Sequence, residues 1–207
     1  MEDILAVYQR AYSEHEVLVC LDETSKQQVK ETRLPLAPEA GRREKYDYEY
    51  ERNGVSNLFM LFAPLAGWRQ VKVTDRHTQI DWAQLIKELV DEHFPEKKII
   101  LVMDNLNTHK LGSLYAAFKP GEARRIAERL EIHYTPKHGS WLDMAEIEIG
   151  VLSRQCLNRR IPDQETLRTE IKAWQAQRNQ KAARVNWRFT TEDARIKLKS
   201  LYPSIQC

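Results

Sequence analysis

Lys98-Ile-Ile-Leu-Val-Met-Asp-Asn105 sets five unbroken apolar residues in front of an acid, Asp104. The run is too short for an independent helix, and its lack of alternation implies burial on both faces, as in a parallel sheet between helices. It reads as an inner strand that delivers a carboxylate to its carboxyl end. Ligands of open α/β sheets collect at that edge, so Asp104 is a candidate for chemistry.

Upstream, Val17-Leu-Val-Cys-Leu-Asp22 repeats the pattern, again five apolar residues followed by an acid. If the two strands are parallel neighbours, their axes lie about 4.8 Å apart, and Asp22 and Asp104 can share one metal ion. Two unrelated acids at strand ends is the plainer reading. Between these strands, Leu34 to Lys45 carries two prolines, Gly41 and Arg42-Arg43-Glu44-Lys45, and reads as an exposed loop. Tyr46 to Glu51 alternates aromatic and acid, and Asn53-Gly54 offers a tight turn into Asn57-Leu-Phe-Met-Leu-Phe-Ala63, so a hairpin is expected there. Trp68 to Asp75 alternates as a further strand, which makes the first half largely antiparallel. Thr78-x-x-Asp81 then looks like a helix cap ahead of Trp82, Leu85, Ile86, Leu89, Val90 and His93, with Pro95 as the stop. Helix followed by strand makes a crossover that returns Lys98 to Asp104 parallel to an earlier strand.

Downstream, Gly121 to Leu130 reads as a charged helix and Ile132 to Thr135 as a short strand. Lys137-His-Gly-Ser-Trp-Leu-Asp143 forms a loop into a helix from about Met144 to Leu157. On that helix Ala145, Ile149, Leu152 and Cys156 make one stripe with Met144 and Val151 beside it. Glu148 falls between those groups and Glu146 on the opposite rim, so either acid can face the sheet end. Asp163 caps a helix whose Leu167, Ile171 and Trp174 share a face, and Thr190-x-x-Asp193 starts a last short one.

A chain of 207 residues buries one sizeable core. The expected organisation is a lead-in helix over 1–16, a catalytic body over 17–160 and a basic helical extension over 161–207 packed on it. No apolar run approaches the roughly 20 residues that span a bilayer, and no signal peptide opens the chain, so a soluble cytoplasmic protein is expected. Cys20, Cys156 and Cys207 are too far apart for a zinc ribbon or disulfide framework. The net charge of +2 divides into −5 through Gly150 and +7 beyond it. That division suits a polyanion held by the basic tail near an acidic, metal-requiring centre, although a solvated basic helix surface accounts for it as simply. Three acids on two strands and a later helix suit a two-metal site, because Mg²⁺ prefers carboxylate and phosphate oxygens. Such acids repel one another without a cation, so their clustering itself predicts metal dependence.

Three motifs, Val19-Cys-Leu-Asp-Glu-Thr-Ser25, Leu101-Val-Met-Asp-Asn-Leu-Asn-Thr-His109 and Tyr134-Thr-Pro-Lys-His-Gly-Ser-Trp-Leu-Asp-Met-Ala-Glu146, together resemble DDE-type transposases of the mariner-like bacterial insertion-sequence branch. The likeness runs from about Val17 to the final helix. It implies a ribonuclease H-like α/β fold: a mixed five-stranded sheet, three antiparallel strands then parallel ones, flanked by helices and followed by extra C-terminal helices. Carried over by motif, Asp22, Asp104 and Glu146 are the catalytic carboxylates and the ligands of two Mg²⁺ or Mn²⁺ ions, Asp22 bridging both. The 41 residues between Asp104 and Glu146 exceed the short spacing typical of mariner relatives, which keeps Glu148 as the alternative third ligand.

The implied chemistry is hydrolysis of a phosphodiester at a transposon end, then attack of the freed 3′-hydroxyl on target DNA. Asn105 and His109 are placed to orient phosphate or water, or to hydrogen-bond within their loop. Lys137, His138 and Trp141 are candidates to grip or stack on DNA, with a core anchor as the plainer role for Trp141, and Arg159 and Arg160 are further candidate DNA contacts. The resemblance also implies a homodimer on DNA, a separate helix-turn-helix recognition domain and no membrane. The setting it implies is the bacterial cytoplasm, at the nucleoid when acting. Competing expectations are an inert remnant that binds DNA or a partner without cutting, and a general ribonuclease H-like nuclease.

Overall fold

The structure, a computed structural model, describes residues 1–11, 13–33, 41, 48–137 and 139–202. Most of the loop expected at Leu34 to Lys45, together with His138 and Cys207, lies outside the described residues. The five strands are β1 (Glu16–Glu31), β2 (Tyr50–Ala63), β3 (Trp68–Thr74), β4 (Lys98–Met103) and β5 (Leu130–Tyr134), in the order β3-β2-β1-β4-β5. The first three are antiparallel, while β4 pairs in parallel with both β1 and β5. This is the mixed sheet expected from the motifs.

Burial on both faces explains the unbroken apolar runs. Ile99, Leu101 and Met103 join Val17, Val19 and Leu21 under α2 (Gln79–Glu88), α3 (Leu111–Ala117) and α4 (Pro120–Ala127). The alternate residues Ile100, Val102 and Cys20 face α1 (Glu2–Tyr8), α5 (Met144–Leu152), α6 (Gln164–Gln180) and α7 (Thr191–Lys197). A strand with period two and an apolar layer on each side leaves no position for a polar residue until the strand clears one layer.

Capping chemistry sets the helix starts. Thr78 and Asp81 close a reciprocal capping box on α2, Thr190 and Asp193 do the same on α7, and Asp163 caps α6. A wider turn over Leu89–His93 continues α2 towards Pro95, and another over Ser153–Leu157 continues α5. Helix α3 has no counterpart in the sequence reading. Its Leu111 and Tyr115 are exposed and only Ser113 and Leu114 are buried, so it carries no apolar stripe to detect.

Two expectations are corrected. β1 does not stop at Asp22 but runs on to Glu31, paired with β2 beyond the reach of β4. Nor is Asn53-Gly54 a hairpin turn. It lies inside β2, where the register steps from Gln27↔Val55 to Val29↔Arg52, so Asn53 and Gly54 together face Gln28. This is a β-bulge, and Gly54 supplies the positive φ of 93°. The buried Gln28 amide donates to Ser56 Oγ at 2.6 Å.

The edge strand β3 is closed by side chains of α6. Val71 N–H donates to Gln175 Oε1 at 2.8 Å, and Arg69 N–H donates to Asn179 Oδ1 at 2.9 Å. Asn179 Nδ2 donates back to the Arg69 carbonyl at 2.8 Å. Residues four apart on a helix thus serve N–H groups two apart on a strand, a match of the two periodicities.

Candidate active site

Leu21↔Met103 is the last pair of the parallel β1–β4 ladder, so the next residues, Asp22 and Asp104, lie side by side at the carboxyl end of the two strands. Alternation puts Asp22 on the same face as Cys20, towards α5, whose first turn carries Glu146. The three carboxylates are electrostatically coupled. Burial first, then the charges of Asp104, Glu146 and Glu23, push the Asp22 carboxyl up to about 6, against a hydrogen bond from Glu23 N–H at 2.8 Å. The Asp104 side chain is 40% exposed and therefore reachable by a ligand.

His109 supports Asp104 from below. Its ring is fully buried and stacks on Trp82 with centroids 6.1 Å apart. Nδ1 donates to Asp104 Oδ1 at 2.6 Å, and Nε2 lies 3.6 Å from Glu23 Oε2. Burial disfavours its charge, but the hydrogen bond to Asp104 and the nearby Glu23 carboxylate outweigh burial and push its pKa up to about 9. Tyr134 fixes the backbone there by donating to the His109 carbonyl at 2.8 Å. His109 thus lies buried beneath the acid rather than at the surface. The turn after Asn107 folds the ring inward, beneath the acid.

The two glutamates of α5 have separate environments. Glu148 is buried, with Arg178 Nε and Nη2 donating to its two oxygens at 2.9 Å each and Arg69 Nε 3.1 Å from Oε1. Both its oxygens are committed to a core ion pair between α5, α6 and β3. Glu146 is exposed, and its charge is felt by both Asp22 and Asp143. Asp143 caps α5, its Oδ1 accepting from Ala145 N–H at 2.8 Å. The preceding Leu142 carbonyl is held by the buried Tyr8 hydroxyl at 2.6 Å, which ties α1 to the start of α5.

Around the acids, Asn105 and Lys137 are exposed and line an open hollow with Asp104, Thr135 and Ser140. Trp141 is 40% exposed and stacks on Trp187 at 6.3 Å, with Phe189 edge-on at 6.0 Å. Arg159 pairs with Glu170, and Arg160 pairs with Glu31 at 2.6 Å while covering the Tyr50 ring. Both arginines therefore have partners within the chain. A groove that the sequence reading missed runs from the acid cluster between β1 and α5, lined by Thr24, Ser25, Lys26, Ser153, Arg154 and Asn158. Gly150 leaves room for the Arg154 guanidinium, which a Cβ would meet at 3.3 Å.

Among the described residues, no three His, Cys, Asp or Glu side chains converge closely enough to hold a metal ion as they stand. The donor set nonetheless fits a divalent cation: oxygen ligands, mutually repelling, with the buried Asp143 Oδ2 lacking any hydrogen-bond partner.

Residues 17–168 match the DDE superfamily endonuclease family, and the chain belongs to that family. Its fold is similar to that of the Mos1 mariner paired end complex with Mn, with a TM-score of 0.57, 16% identity and coverage of 88% of this chain and 55% of that one. The Mos1 transposase paired-end complex with left transposon end gives a TM-score of 0.57 at 14% identity, covering 88% and 55%. The Mos1 strand transfer complex gives 0.50 at 15%, covering 88% and 56%. At these identities the likeness speaks for the fold, which is the ribonuclease H-like one expected, and the chain spans about half the length of the Mos1 chains. No curated protein sequence matches it. No helix among the described residues is long and apolar enough to cross a membrane.

Proposed function

We propose that the chain is the catalytic domain of a DNA transposase, cutting phosphodiesters at transposon ends and joining the freed 3′-hydroxyl to target DNA. The observation that carries this reading is the β1–β4 register, which sets Asp22 beside Asp104 at the strand ends, facing the helix that carries Glu146. Asp22, Asp104 and Glu146 would hold Mg²⁺ or Mn²⁺, and the ions, when bound, would supply a metal-activated water and charge stabilisation at the phosphate. Glu148 is set aside because both its oxygens are engaged by arginine. His109 keeps Asp104 oriented as a hydrogen-bonded partner behind a ligand does.

A DNA backbone bound here would meet Thr24, Arg154 and Asn158 in the groove and Asn105 and Lys137 beside Asp104. We take residues 17–160 as the catalytic unit, 161–207 as a basic extension that braces it, and a separate helix-turn-helix domain and a second copy of the chain as partners on DNA. The site of action is then the bacterial cytoplasm, at the nucleoid.

The test is cleavage of DNA carrying the element's ends, with Mg²⁺ or Mn²⁺ and a recognition domain supplied. Asp104→Asn should abolish nicking and leave DNA binding intact. A second reading, a binder that does not cut, is favoured by the lack of three converged ligands among the described residues, and it predicts no nicking by either protein. Cutting of DNA without transposon ends would point instead to a general nuclease.

A further inference from the structure

Glu23 follows the first acid of the cluster and faces the other way. Alternation puts Asp22 on the Cys20 face of β1, towards α5, and Glu23 on the Leu21 face, where His109 stacks on Trp82. The Glu23 side chain is 16% exposed, and its Oε2 lies 3.6 Å from His109 Nε2, within ion-pair reach. Neither atom has a hydrogen-bond partner among the described residues. An acid turned into an apolar layer is costly unless it is engaged, and the imidazole edge is what it meets there. At the other edge of the same ring, Nδ1 donates to Asp104 Oδ1 at 2.6 Å. One imidazole thus spans two carboxylates, one on β1 and one just past the end of β4.

Stacking on Trp82 sets the plane of the ring, and the Tyr134 hydroxyl fixes its backbone through the His109 carbonyl, but both allow the ring a half-turn about its own axis. A half-turn puts the carbons Cδ2 and Cε1 where Nδ1 and Nε2 stand, and takes the donor away from Asp104. Only one orientation offers a nitrogen to both carboxylates. Asp104 by itself is a weak guide to that orientation, because its side chain is 40% exposed and, on the proposed reading, is shared with a cation. Glu23 holds the inner edge of the ring, away from the ligand side.

We infer that Glu23 is a positioning residue for the proposed site: from the face of β1 opposite Asp22 it selects the orientation of the His109 ring, and through that ring it aims the Asp104 carboxylate. A hydrogen-bonded group behind a ligand orients it and tunes metal affinity, and Glu23 stands one step further back in the same chain of contacts. The consecutive acids Asp22 and Glu23 then serve one centre from both faces of the sheet, the first directly and the second through an imidazole. The inference rests on the proposed acid cluster and gives a task to the second acid of that pair.

The experiment is a calorimetric titration of the full chain with Mn²⁺ alone, together with ¹⁵N–¹H spectra of the His109 ring in the metal-free protein. Wild type is compared with Glu23→Ala, Glu23→Asp, Glu23→Gln and Asp104→Asn. Glu23→Gln keeps an acceptor oxygen at the same reach without the charge, whereas Glu23→Asp keeps the charge and draws it back by one methylene. A positioning role follows reach: Glu23→Gln should hold Mn²⁺ affinity within about threefold of wild type and keep one set of ring signals, while Glu23→Ala and Glu23→Asp should lose about tenfold and show two ring orientations. Should Glu23→Ala fail to fold, Glu23→Asp carries the same comparison. If affinity follows charge instead, kept by Glu23→Asp and lost in Glu23→Gln, the positioning role is overturned. If all three Glu23 variants bind Mn²⁺ as tightly as wild type while Asp104→Asn does not, Glu23 is a structural partner of His109 and nothing more. If Asp104→Asn itself binds Mn²⁺ as wild type does, the cluster is not the cation site, and the proposed function falls together with this inference.

Discussion

Two glutamates two positions apart on α5 have opposite fates, and their substitutions should separate cleanly. Glu148→Gln leaves Arg178 and the buried Arg69 facing a neutral group and should cost about 2–4 kcal/mol of stability by denaturant unfolding. Glu146→Gln is exposed and should change stability little while weakening Mn²⁺ binding. Asp22 should behave as an acid held above its usual range. Its carboxyl, raised from 3.8 to about 6, is ionised in the folded metal-free protein only at a cost, so stability from this group grows as pH falls from about 7 towards 4. Asp22→Asn should therefore raise the metal-free Tm at pH 7.5, by on the order of 1 kcal/mol in stability, with the advantage gone near pH 4. Added Mg²⁺ should reverse the order of the two proteins. The pairing of Asp22 with Asp104 was legible because each ends an apolar run. The choice between Glu146 and Glu148 was not legible on the helical wheel, since what occupies Glu148 comes from β3 and α6, elements remote in the chain. His109 was visible as a neighbour of the second acid, but only the fold shows which way its ring turns.

Among elements, the capped helices were the most readable, because a cap is a local hydrogen bond between residues three apart. The bulge at Gly54 was not, since Asn-Gly has the same chemistry in a hairpin turn and in a bulge, and only the partner strand decides. Gly54→Ala should destabilise the protein by about 1 kcal/mol, because the added Cβ disfavours φ of 93°. The join between α2 and α4 carries a pH dependence of the ordinary sign. Hydrogen bonds from Arg125 and then Lys87 hold the Asp91 carboxyl down at about 2, below its usual 3.8. An acid lowered in the folded state contributes stability above its unfolded pKa and loses it as pH falls through the folded one. Asp91→Asn should thus be less stable than wild type at pH 6, by under about 1 kcal/mol for a partly exposed pair, with the difference shrinking as pH falls through about 2 and gone only below it.

At the scale of the whole molecule, the basic segment beyond Gly150 is less available than its charge of +7 implies. Arg159, Arg160, Arg178, Arg195 and Lys197 all have acidic partners within the chain, and the Arg195–Glu2 pair joins α7 to α1. Charge counting could not reveal this, because it sums residues without their neighbours. DNA affinity should consequently depend on salt less steeply than twelve free cations would require, and Arg154→Ala should lower the slope of log K against log salt by about 1.

The ladder between β1 and β4 is a set of backbone hydrogen bonds up to Leu21↔Met103, so the strand ends that lead into Asp22 and Asp104 cannot part without breaking the sheet. Glu146 rides on a helix attached to that sheet only by side chains, with the Glu148 ion pair at its middle and the Tyr8 hydrogen bond just ahead of its start. The centre is thus a fixed jaw and an adjustable one. On the proposed reading, a small sliding of α5 would complete the ligand set, and whatever pushes on that helix would set how tightly the ions are gripped.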